Sequence, residues 1–460
     1  MPTFRGHTSH AACVDPSPPP PYNEIVMRVR IAVGVTAVLL IVALACGCGA
    51  RAKKHARLHV LVWSGWVGVE EEAFERLVTM FNASQDRYQF ENFSTVEDDT
   101  RIFRAITAGT SPDLFFLWNT SYIGALAAND AIQPLDGLLR KWGLRERDFV
   151  PGALDQARCR GKIYGVPFLV DASAFYWNRD VFAEAGVDPN RPPRTLEELL
   201  DLAVKLTKRD AHGNLVRLGF QPPAVHEVLG LFGGRLADPA TGRITANDPR
   251  NVEALEWYLR MFELQGGGLR IDSFQQGFGS FDSPNHQFFV GKVAMMFSGE
   301  WWPGYVTRYS PTTDYGVVQI PYPSKYPEMK GSTFMGGNFA CIATECKHPD
   351  AAIAFIKWMS TRKAQIEFSK VMHNVPDVRS ALLAPELTRG NREKRAFGAV
   401  CRIVALGKPT VYPPTPVNVA YMAELETAAQ RVVRHTVTPR QALDQVQRRL
   451  EVYMEPYRGM

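Results

Sequence analysis

The chain has 460 residues, of which 46% are hydrophobic and 22% are charged, and its formal net charge is +5. This length and composition suit one large or two medium globular domains. The net charge is small for the length and no dense stripe of lysine and arginine follows Arg57, so we expect no nucleic-acid partner.

The amino terminus consists of two joined segments. Residues 1–26, with the proline and serine tract Pro16–Pro21, show neither a helical period nor strand alternation. We interpret them as a non-native extension, with translation starting at Met27. Residues 27–45 have a short basic start and then fifteen uncharged, largely apolar residues, Ile31–Ala45, which is the layout of a secretory signal peptide. A membrane-spanning helix would need about 20 apolar residues, so we expect no permanent transmembrane anchor here.

Two cysteines follow the apolar run. Cys46 and Cys48 each lie in a sequence similar to the lipobox of bacterial lipoproteins, in which the cysteine is lipidated after cleavage and becomes the first residue. Cys46 is closer to the apolar run, whereas the glycine before Cys48 favours that position. Both positions stay open, as does a signal peptide in which the cysteines are incidental. We expect residues 46–57 to form a tether.

The four downstream cysteines are Cys159, Cys341, Cys346 and Cys401. Their spacings match no zinc-binding pattern, and four thiols are too few to stabilise a chain of this length by disulfides. We predict buried free thiols, with a single Cys341–Cys346 disulfide as the alternative for an exported protein.

Strands and helices alternate from Leu58 onward. The valine-rich run Leu58–Trp63 predicts a strand, and Val69–Phe81 has the apolar period of a helix. Tyr88–Phe93 alternates like a strand, Thr100–Ala108 predicts a second helix, and Leu114–Trp118 is apolar enough for a strand buried on both faces. This order predicts an α/β fold with a mostly parallel sheet covered by helices.

Several later helices have recognisable starts. Thr195 and Glu198 have the spacing of a capping box, and Thr438 with Gln441 repeats it before the last helix. Pro349 is suited to the first position of another helix.

The stretch Pro167–Leu206 contains the most specific motifs. An aromatic-aromatic-Asn triplet (Tyr176–Asn178) is followed by D-x-F-x-x-A-G (Asp180–Gly186) and P-P-x-T (Pro192–Thr195), and Y-G-V-P-F (Tyr164–Phe168) overlaps its start. This pattern resembles the lobe-crossing segment of extracellular solute-binding proteins of ATP-binding cassette importers, family 1, the maltose- and sugar-binding type.

The resemblance extends over nearly all of Leu58 to Tyr453. Phe288–Gly299 is similar to the family's F-x-x-G-K-x-A-M-x-x-x-G block, and Gly336–Ala340 to its glycine-led strand. Pro376–Ala381 resembles its P-x-x-R-S-A turn. The implied fold is the two-lobed, type II periplasmic-binding-protein fold, in which each lobe is a mixed, mostly parallel sheet flanked by helices and a hinge joins the lobes.

The resemblance also implies how the chain divides between the lobes. The N-lobe would comprise residues 58–170 plus 320–371, and the C-lobe residues 171–319 plus 372–456. We expect the chain to cross between lobes near Asp171, near residues 317–322 and near Val371.

A sugar has a rim of hydroxyl groups and two faces of C–H groups, so flat aromatic surfaces and convergent polar groups bind it. Such residues follow the predicted strands, where open α/β folds bind ligands. In sugar-binding relatives the position that matches Asp171 is an acidic contact, and the glycines before Asn338 would allow close backbone approach. The candidate ligand contacts are Trp63, Ser64, Trp66, Trp118, Asn119, Asp171, Glu300, Trp301, Trp302, Gly337, Asn338 and Tyr421.

The aromatic candidates could instead pack in the hydrophobic core. Trp63 suits the sheet core as well as a ligand platform, and one of Trp301 and Trp302 should stack on the sugar while the other packs inside its lobe. Tyr176 and Trp177 lie on a predicted strand, and we assign them to the core.

The resemblance implies a substrate-binding lipoprotein that captures a sugar or oligosaccharide in a cleft between the lobes. It would be exported to the periplasm or cell surface, be anchored to the membrane by its lipidated cysteine, act as a monomer, and deliver the sugar to the permease subunits of the importer. On the same scaffold, glycerol phosphates or polyamines are alternative ligands.

A secreted glycosidase is the alternative from another class. It needs two carboxyl groups that flank the scissile bond, and no glycosidase motif is present. The segment His226–Gly230 lacks the second histidine of a zinc-protease helix, and Gly291–Val293 lacks the serine or threonine of a phosphate loop. We therefore predict no cofactor, no metal site and no catalytic activity.

Overall fold

The structure is a computed structural model. It describes residues 56–95, 99–117, 120–238, 241–411 and 414–458. The extension, the signal segment and both candidate lipidation sites, Cys46 and Cys48, lie outside these ranges, as do Trp118 and Asn119. Arg57–Met460 form one compact unit.

Short strands make up two larger sheets and one small hairpin. The strands are β1 (Leu58–Ser64), β2 (Tyr88–Ser94), β3 (Leu114–Leu117), β4 (Arg158–Cys159), β5 (Lys162–Ile163), β6 (Val166–Ala172), β7 (Ala174–Asn178), β8 (Lys208–Arg209), β9 (Leu215–Phe220), β10 (Val293–Ser298), β11 (Tyr315–Val318), β12 (Thr333–Cys341) and β13 (Pro409–Thr410).

Helices cover the sheets. They are α1 (Val69–Ser84), α2 (Asp99–Thr107), α3 (Ser121–Ala128), α4 (Asp136–Trp142), α5 (Arg179–Glu184), α6 (Leu196–Leu206), α7 (Val225–Leu231), α8 (Pro249–Gln265), α9 (Gly268–Gln275), α10 (Trp302–Tyr309), α11 (Pro349–Met359), α12 (Arg362–Met372), α13 (Arg379–Leu382), α14 (Pro385–Thr388), α15 (Arg392–Ala405), α16 (Asn418–Val433) and α17 (Pro439–Tyr453). None of the helices in the described part of the chain is both long and apolar enough to cross a membrane.

The first sheet has the strand order β13-β12-β3-β1-β2, and β6 also pairs with β12. Strand β1 runs parallel to β2 and β3, whereas β12 runs antiparallel to β3 and β6. The side chains of β3 are all buried, as its continuous apolar run predicts for a central strand.

The second sheet has the order β11-β7-β10-β9-β8. Strand β10 is parallel to β9, but β7 is antiparallel to both β10 and β11, and β8 is antiparallel to β9. This sheet is thus more antiparallel than the sequence pattern predicts. The difference arises because β7 enters directly from β6 across Ser173 and not through a strand-helix-strand unit, which imposes the parallel direction. Strand β11 follows β10 through α10, and because both strands are antiparallel to β7 they are parallel to each other.

The chain passes between the two sheets at closely spaced points. Only Ser173 separates β6 of the first sheet from β7 of the second. The backbone N–H of Val170 donates to the carbonyl of Val375 at 2.8 Å, and the N–H of Val375 donates back at 3.1 Å. The N–H of Ser173 donates to the carbonyl of Phe334, at the start of β12. Segments far apart in sequence therefore run side by side where the sheets are joined.

The helix starts agree with their capping signals to different degrees. At α17 both hydrogen bonds of the capping box between Thr438 and Gln441 are present. At α6 the Thr195 hydroxyl accepts from the N–H of Glu198, but the Glu198 carboxylate accepts from the N–H of Arg194. The capping box at Thr195 is therefore only half formed.

The four cysteines of the described residues are free thiols. Cys159, Cys341 and Cys401 are buried, whereas Cys346 is half-buried. This confirms the prediction of free thiols over a Cys341–Cys346 disulfide, although one thiol is not fully buried.

Candidate functional site

Two of the predicted contacts, Asp171 and Glu300, come together where the sheets are joined. Asp171 lies near the end of β6 and is half-buried, whereas Glu300 follows β10 and is fully buried. The side-chain Nδ2 of Asn374 lies 2.6 Å from Asp171 Oδ1 and 2.6 Å from Glu300 Oε1. The other oxygen of Glu300, Oε2, accepts from the backbone N–H of Ala172 at 2.7 Å. One amide thus links two carboxyl groups that come from different sheets.

Burial sets the protonation of this pair. Desolvation raises the pKa of Asp171 to about 6, and the hydrogen bond from Asn374 partly opposes this rise. Desolvation, and then the charge of Asp171, raise the pKa of Glu300 well above its usual value. At neutral pH the partly exposed Asp171 is therefore ionised in most molecules, and the fully buried Glu300 is the harder of the two to ionise.

A third carboxyl group lies beside the crossing. Glu227, in α7, accepts a hydrogen bond from the Ser173 hydroxyl at 2.6 Å, and burial raises the pKa of its carboxyl. Next to it, the ring of His226 lies edge-on to Phe334, and burial lowers the pKa of His226 to about 4. Neither Glu227 nor His226 therefore adds a positive charge beside the crossing at neutral pH.

Trp301 and Trp302 have opposite environments. Trp301 is half-buried at the start of α10, and its ring covers Gly299 so closely that a Cβ on that residue would lie 2.1 Å from the ring. Trp302 is fully buried and stacks on Phe289 at 4.9 Å between ring centroids. The assignment of Trp302 as a ligand contact is corrected: its ring fills the hydrophobic core, where no face is open to a sugar.

The two tryptophans at the end of β1 and just after it also differ in burial. Trp63 is half-buried and tilted against the exposed ring of Phe93. Ser64 is buried, and its hydroxyl donates to Asn92 Oδ1 at 2.9 Å. Trp66 is fully buried among the rings of Phe74, Phe116, Phe168 and Phe368. Trp66 is therefore a core residue and not a ligand platform, and the Ser64 hydroxyl already has a partner within the protein.

Gly337 lies beside the first crossing, with a positive φ of 155°. A Cβ there would lie 2.9 Å from the carbonyl oxygen of Leu169, so the glycine permits close contact between β12 and β6, and its role in approach to a ligand stays a prediction. Asn338, next in β12, is a buried polar residue.

Tyr421 is fully buried, and its hydroxyl donates to the carbonyl of Leu236 at 2.8 Å. This corrects its assignment as a ligand contact, because neither its ring nor its hydroxyl is open to a sugar.

Trp118 and Asn119 lie outside the described residues, so they stay predictions, as do Asp171, Glu300 and Trp301 in their role as contacts. The predicted burial of Tyr176 and Trp177 in the core is confirmed.

The sequence reasoning missed Asn374, which is 203 residues from Asp171 along the chain. The one available signal was its position: it follows the last residues of α12, close to the predicted third crossing.

Comparison with known proteins agrees with this architecture. The family of bacterial extracellular solute-binding proteins matches residues 70–366. The maltotriose-binding protein of Pyrococcus abyssi (strain GE5 / Orsay) is 23% identical over 340 residues, which is 71% of this chain and 68% of that protein.

Two solved structures show the same fold. CpMnBP1 with mannobiose bound has a TM-score of 0.72 at 28% identity, over 85% of this chain and 99% of that chain. The sugar-binding protein MalE from the phytopathogen Xanthomonas citri has a TM-score of 0.68 at 20% identity, over 87% of this chain and 98% of that chain. With the family match covering more than half of its length, the chain belongs to the bacterial extracellular solute-binding protein family and has the two-lobed fold of maltose-binding-type proteins.

Proposed function

We propose that this protein is the sugar-binding component of an ATP-binding cassette importer, which captures a sugar or oligosaccharide between its lobes and presents it to a membrane permease. The observation that carries the proposal is the similarity to CpMnBP1 with mannobiose bound, at 28% identity over 85% of the chain. A mannose-containing oligosaccharide is therefore the first ligand class to test.

The residues at the crossing have the chemistry that such a ligand needs. The half-buried ring of Trp301 offers a flat apolar surface for the C–H face of a sugar. The Asp171 carboxylate, ionised in most molecules at neutral pH, can accept hydrogen bonds from sugar hydroxyls. Each hydroxyl left without a partner on burial would cost free energy, so a polar site of this kind discriminates between stereoisomers.

The proposed mechanism is closure of the lobes around the sugar. The connection between the sheets is narrow: Ser173 alone separates β6 from β7. Changes in the backbone angles of a few residues at such a connection can rotate one lobe against the other. A sugar that contacts both lobes binds the closed form better and shifts the population toward it.

We further propose that the mature protein is exported and held at the membrane through a lipid on Cys46 or Cys48, acting as a monomer. The family is extracellular, which supports export. Intact mass spectrometry of the mature protein from a bacterial host tests the anchor. A diacylglycerol mass on a chain that starts at one of these cysteines, lost in Cys46→Ala or in Cys48→Ala, identifies the site; an unmodified amino terminus contradicts the anchor.

Isothermal titration of the full chain in detergent with mannobiose, mannotriose and maltotriose tests the function. Saturable binding of one of these sugars, with the sugar intact by chromatography after a day, supports a transport receptor. Glycerol 3-phosphate and spermidine are the comparison ligands, and binding of only one of these would transfer the proposal to that ligand class. Cleavage of the sugar would contradict a receptor and favour a glycosidase.

A further inference from the structure

Three segments that are far apart in the sequence meet at one polar cluster, which we call the crossing triad: Asp171, Glu300 and Asn374. The Asn374 amide has two N–H groups, and its nitrogen lies 2.6 Å from an oxygen of each carboxyl. The two carboxyl oxygens are therefore at most about 5 Å apart. Asn374 supplies one donor to each of them and has none left.

The triad connects the two sheets mechanically. Glu300 follows β10 of the second sheet, yet its Oε2 accepts from the N–H of Ala172 in β6 of the first sheet. Asn374 follows α12 and precedes Val375, which forms a backbone bridge with Val170 of β6. Trp301 is the residue after Glu300, so whatever fixes Glu300 also fixes the base of the loop that carries this ring.

The described hydrogen-bond partners of the Asp171 and Glu300 carboxyl groups are uncharged. Within the described residues, no lysine or arginine donates a hydrogen bond to either. The titratable groups that face Glu300 are the Tyr176 hydroxyl, which donates to the carbonyl of Gly299, and the buried Cys401 thiol of α15.

Further titratable side chains of the described residues lie on either side of the triad. On the Asp171 side lies Glu227, bonded through Ser173. His373, beside Asn374, is paired with Glu393 at 2.8 Å. Two carboxylates this close, without a cation, cannot both be ionised at low cost.

We propose that Asn374 is a positioning residue of the binding site, which holds Asp171 and Glu300 as one unit with a single negative charge and so aligns the ligand-facing carboxylate with the loop of Trp301. This inference rests on the proposed function only in taking Asp171 and Trp301 as ligand contacts. Glu300 keeps the shared proton because it is buried, and Asp171, at the accessible end of the unit, carries the charge. The hydrogen bonds from Asn374 oppose the rise in pKa of both carboxyls.

The first test needs no ligand and measures how the loss of the Asn374 hydrogen bonds changes the pH dependence of stability. Without the amide, the pKa of both carboxyls rises further, so folded Asn374→Ala binds protons that the unfolded chain has released at the same pH. Asn374→Ala should therefore lose more stability at pH 8 than at pH 5. We expect the folded-to-unfolded ratio of the wild type, divided by that of the variant, to increase about tenfold over this range, as one pKa unit implies.

Urea unfolding of the full chain in detergent at both pH values measures this ratio. Asn178→Ala is the matched control: Asn178 is buried in β7 and caps α5 by accepting from the N–H of Val181 at 3.0 Å, so its loss should cost the same at both pH values. In an Asp171→Asn background the pH dependence of the Asn374→Ala effect should disappear, since Asp171 is the member of the triad that changes charge between pH 5 and pH 8. An Asn374→Ala effect that is equal at pH 5 and pH 8 overturns the proposal.

The ligand arm uses mannobiose at pH 7. If the wild type binds mannobiose, Asn374→Ala should weaken binding at least tenfold and Asn178→Ala should not; equal affinities of the wild type and Asn374→Ala overturn the positioning role. If the wild type binds no sugar while Asn374→Ala loses more stability at pH 8 than at pH 5, the proposed function fails and the triad stands as the unit that orients Asp171.

Discussion

At the residue scale, we expect Trp302 to contribute to stability and its neighbour Trp301 to contribute to sugar binding. Trp302→Ala would leave a cavity among the core rings around Phe289 and should cost about 3–5 kcal/mol of unfolding free energy. Trp301→Ala removes a half-buried ring and should cost about 1 kcal/mol or less, but it should abolish sugar binding. Denaturant unfolding and mannobiose titration measure the two effects. A stable Trp302→Ala, or a Trp301→Ala that binds like the wild type, contradicts this division.

The position of the Trp301 ring depends on the absence of a side chain at Gly299. A Cβ added there would lie 2.1 Å from the ring, so Gly299→Ala should displace Trp301 and weaken sugar binding. Gly137→Ala is the control, because a Cβ at Gly137 meets no atom within 4 Å. Tryptophan fluorescence and sugar titration report the displacement. An unchanged affinity in Gly299→Ala would show that the ring position does not matter for binding.

Sequence patterns identified the loops that carry the candidate contacts but not which of their side chains face outward. Trp301 and Trp302 are adjacent at the start of one helix, where successive side chains point about 100° apart. Which of them enters the core depends on the register of α10 against Phe289, a tertiary contact. Asn374 was missed for a similar reason, since its partners lie 203 and 74 residues away and no local motif marks it.

At the element scale, the capping box of α17 gives a defined stability prediction. Thr438→Ala removes the hydroxyl that accepts from the N–H of Gln441 and leaves that donor without its partner, so we expect a loss of about 1 kcal/mol. Thr427→Ala is the control, because Thr427 lies inside α16 and its hydroxyl bonds only to the carbonyl of Ala423. Urea unfolding of both variants measures the difference. Equal costs for the two would show that the cap contributes nothing beyond a surface hydroxyl.

The types and order of the elements were largely predictable, but their pairing was only partly so. The apolar run of β3 identifies a buried strand, and its burial confirms this. The antiparallel direction of β7 beside β10 is set by the crossing at Ser173, which no hydrophobic period encodes. The capping box at Thr195 likewise differs from its sequence pattern, because the Glu198 carboxylate accepts from the N–H of Arg194 and not from that of Thr195.

At the scale of the whole molecule, buried ionisable groups set opposite limits on stability. Burial raises the pKa of Glu300 and Asp377, so the folded state retains protons that the unfolded chain releases, and stability falls as pH rises above the ordinary carboxyl range. Burial lowers the pKa of His226 and His286 to about 4. Between pH 6.5 and 4 the unfolded state therefore binds more protons, and stability falls as pH falls.

His286 allows the acid limit to be tested. Its Nδ1 accepts from the N–H of Phe288 at 3.2 Å, and its ring packs against Trp302, so protonation would remove an acceptor inside the core. The lowered pKa corresponds to at most about 3 kcal/mol lost between pH 6.5 and pH 4. His286→Asn keeps an acceptor but does not titrate, so its stability deficit relative to the wild type should narrow over this range. His212→Asn, in an exposed turn, is the control for loss of an imidazole. A deficit that stays constant from pH 6.5 to pH 4 would show that His286 is protonated in the folded protein as readily as in the unfolded chain.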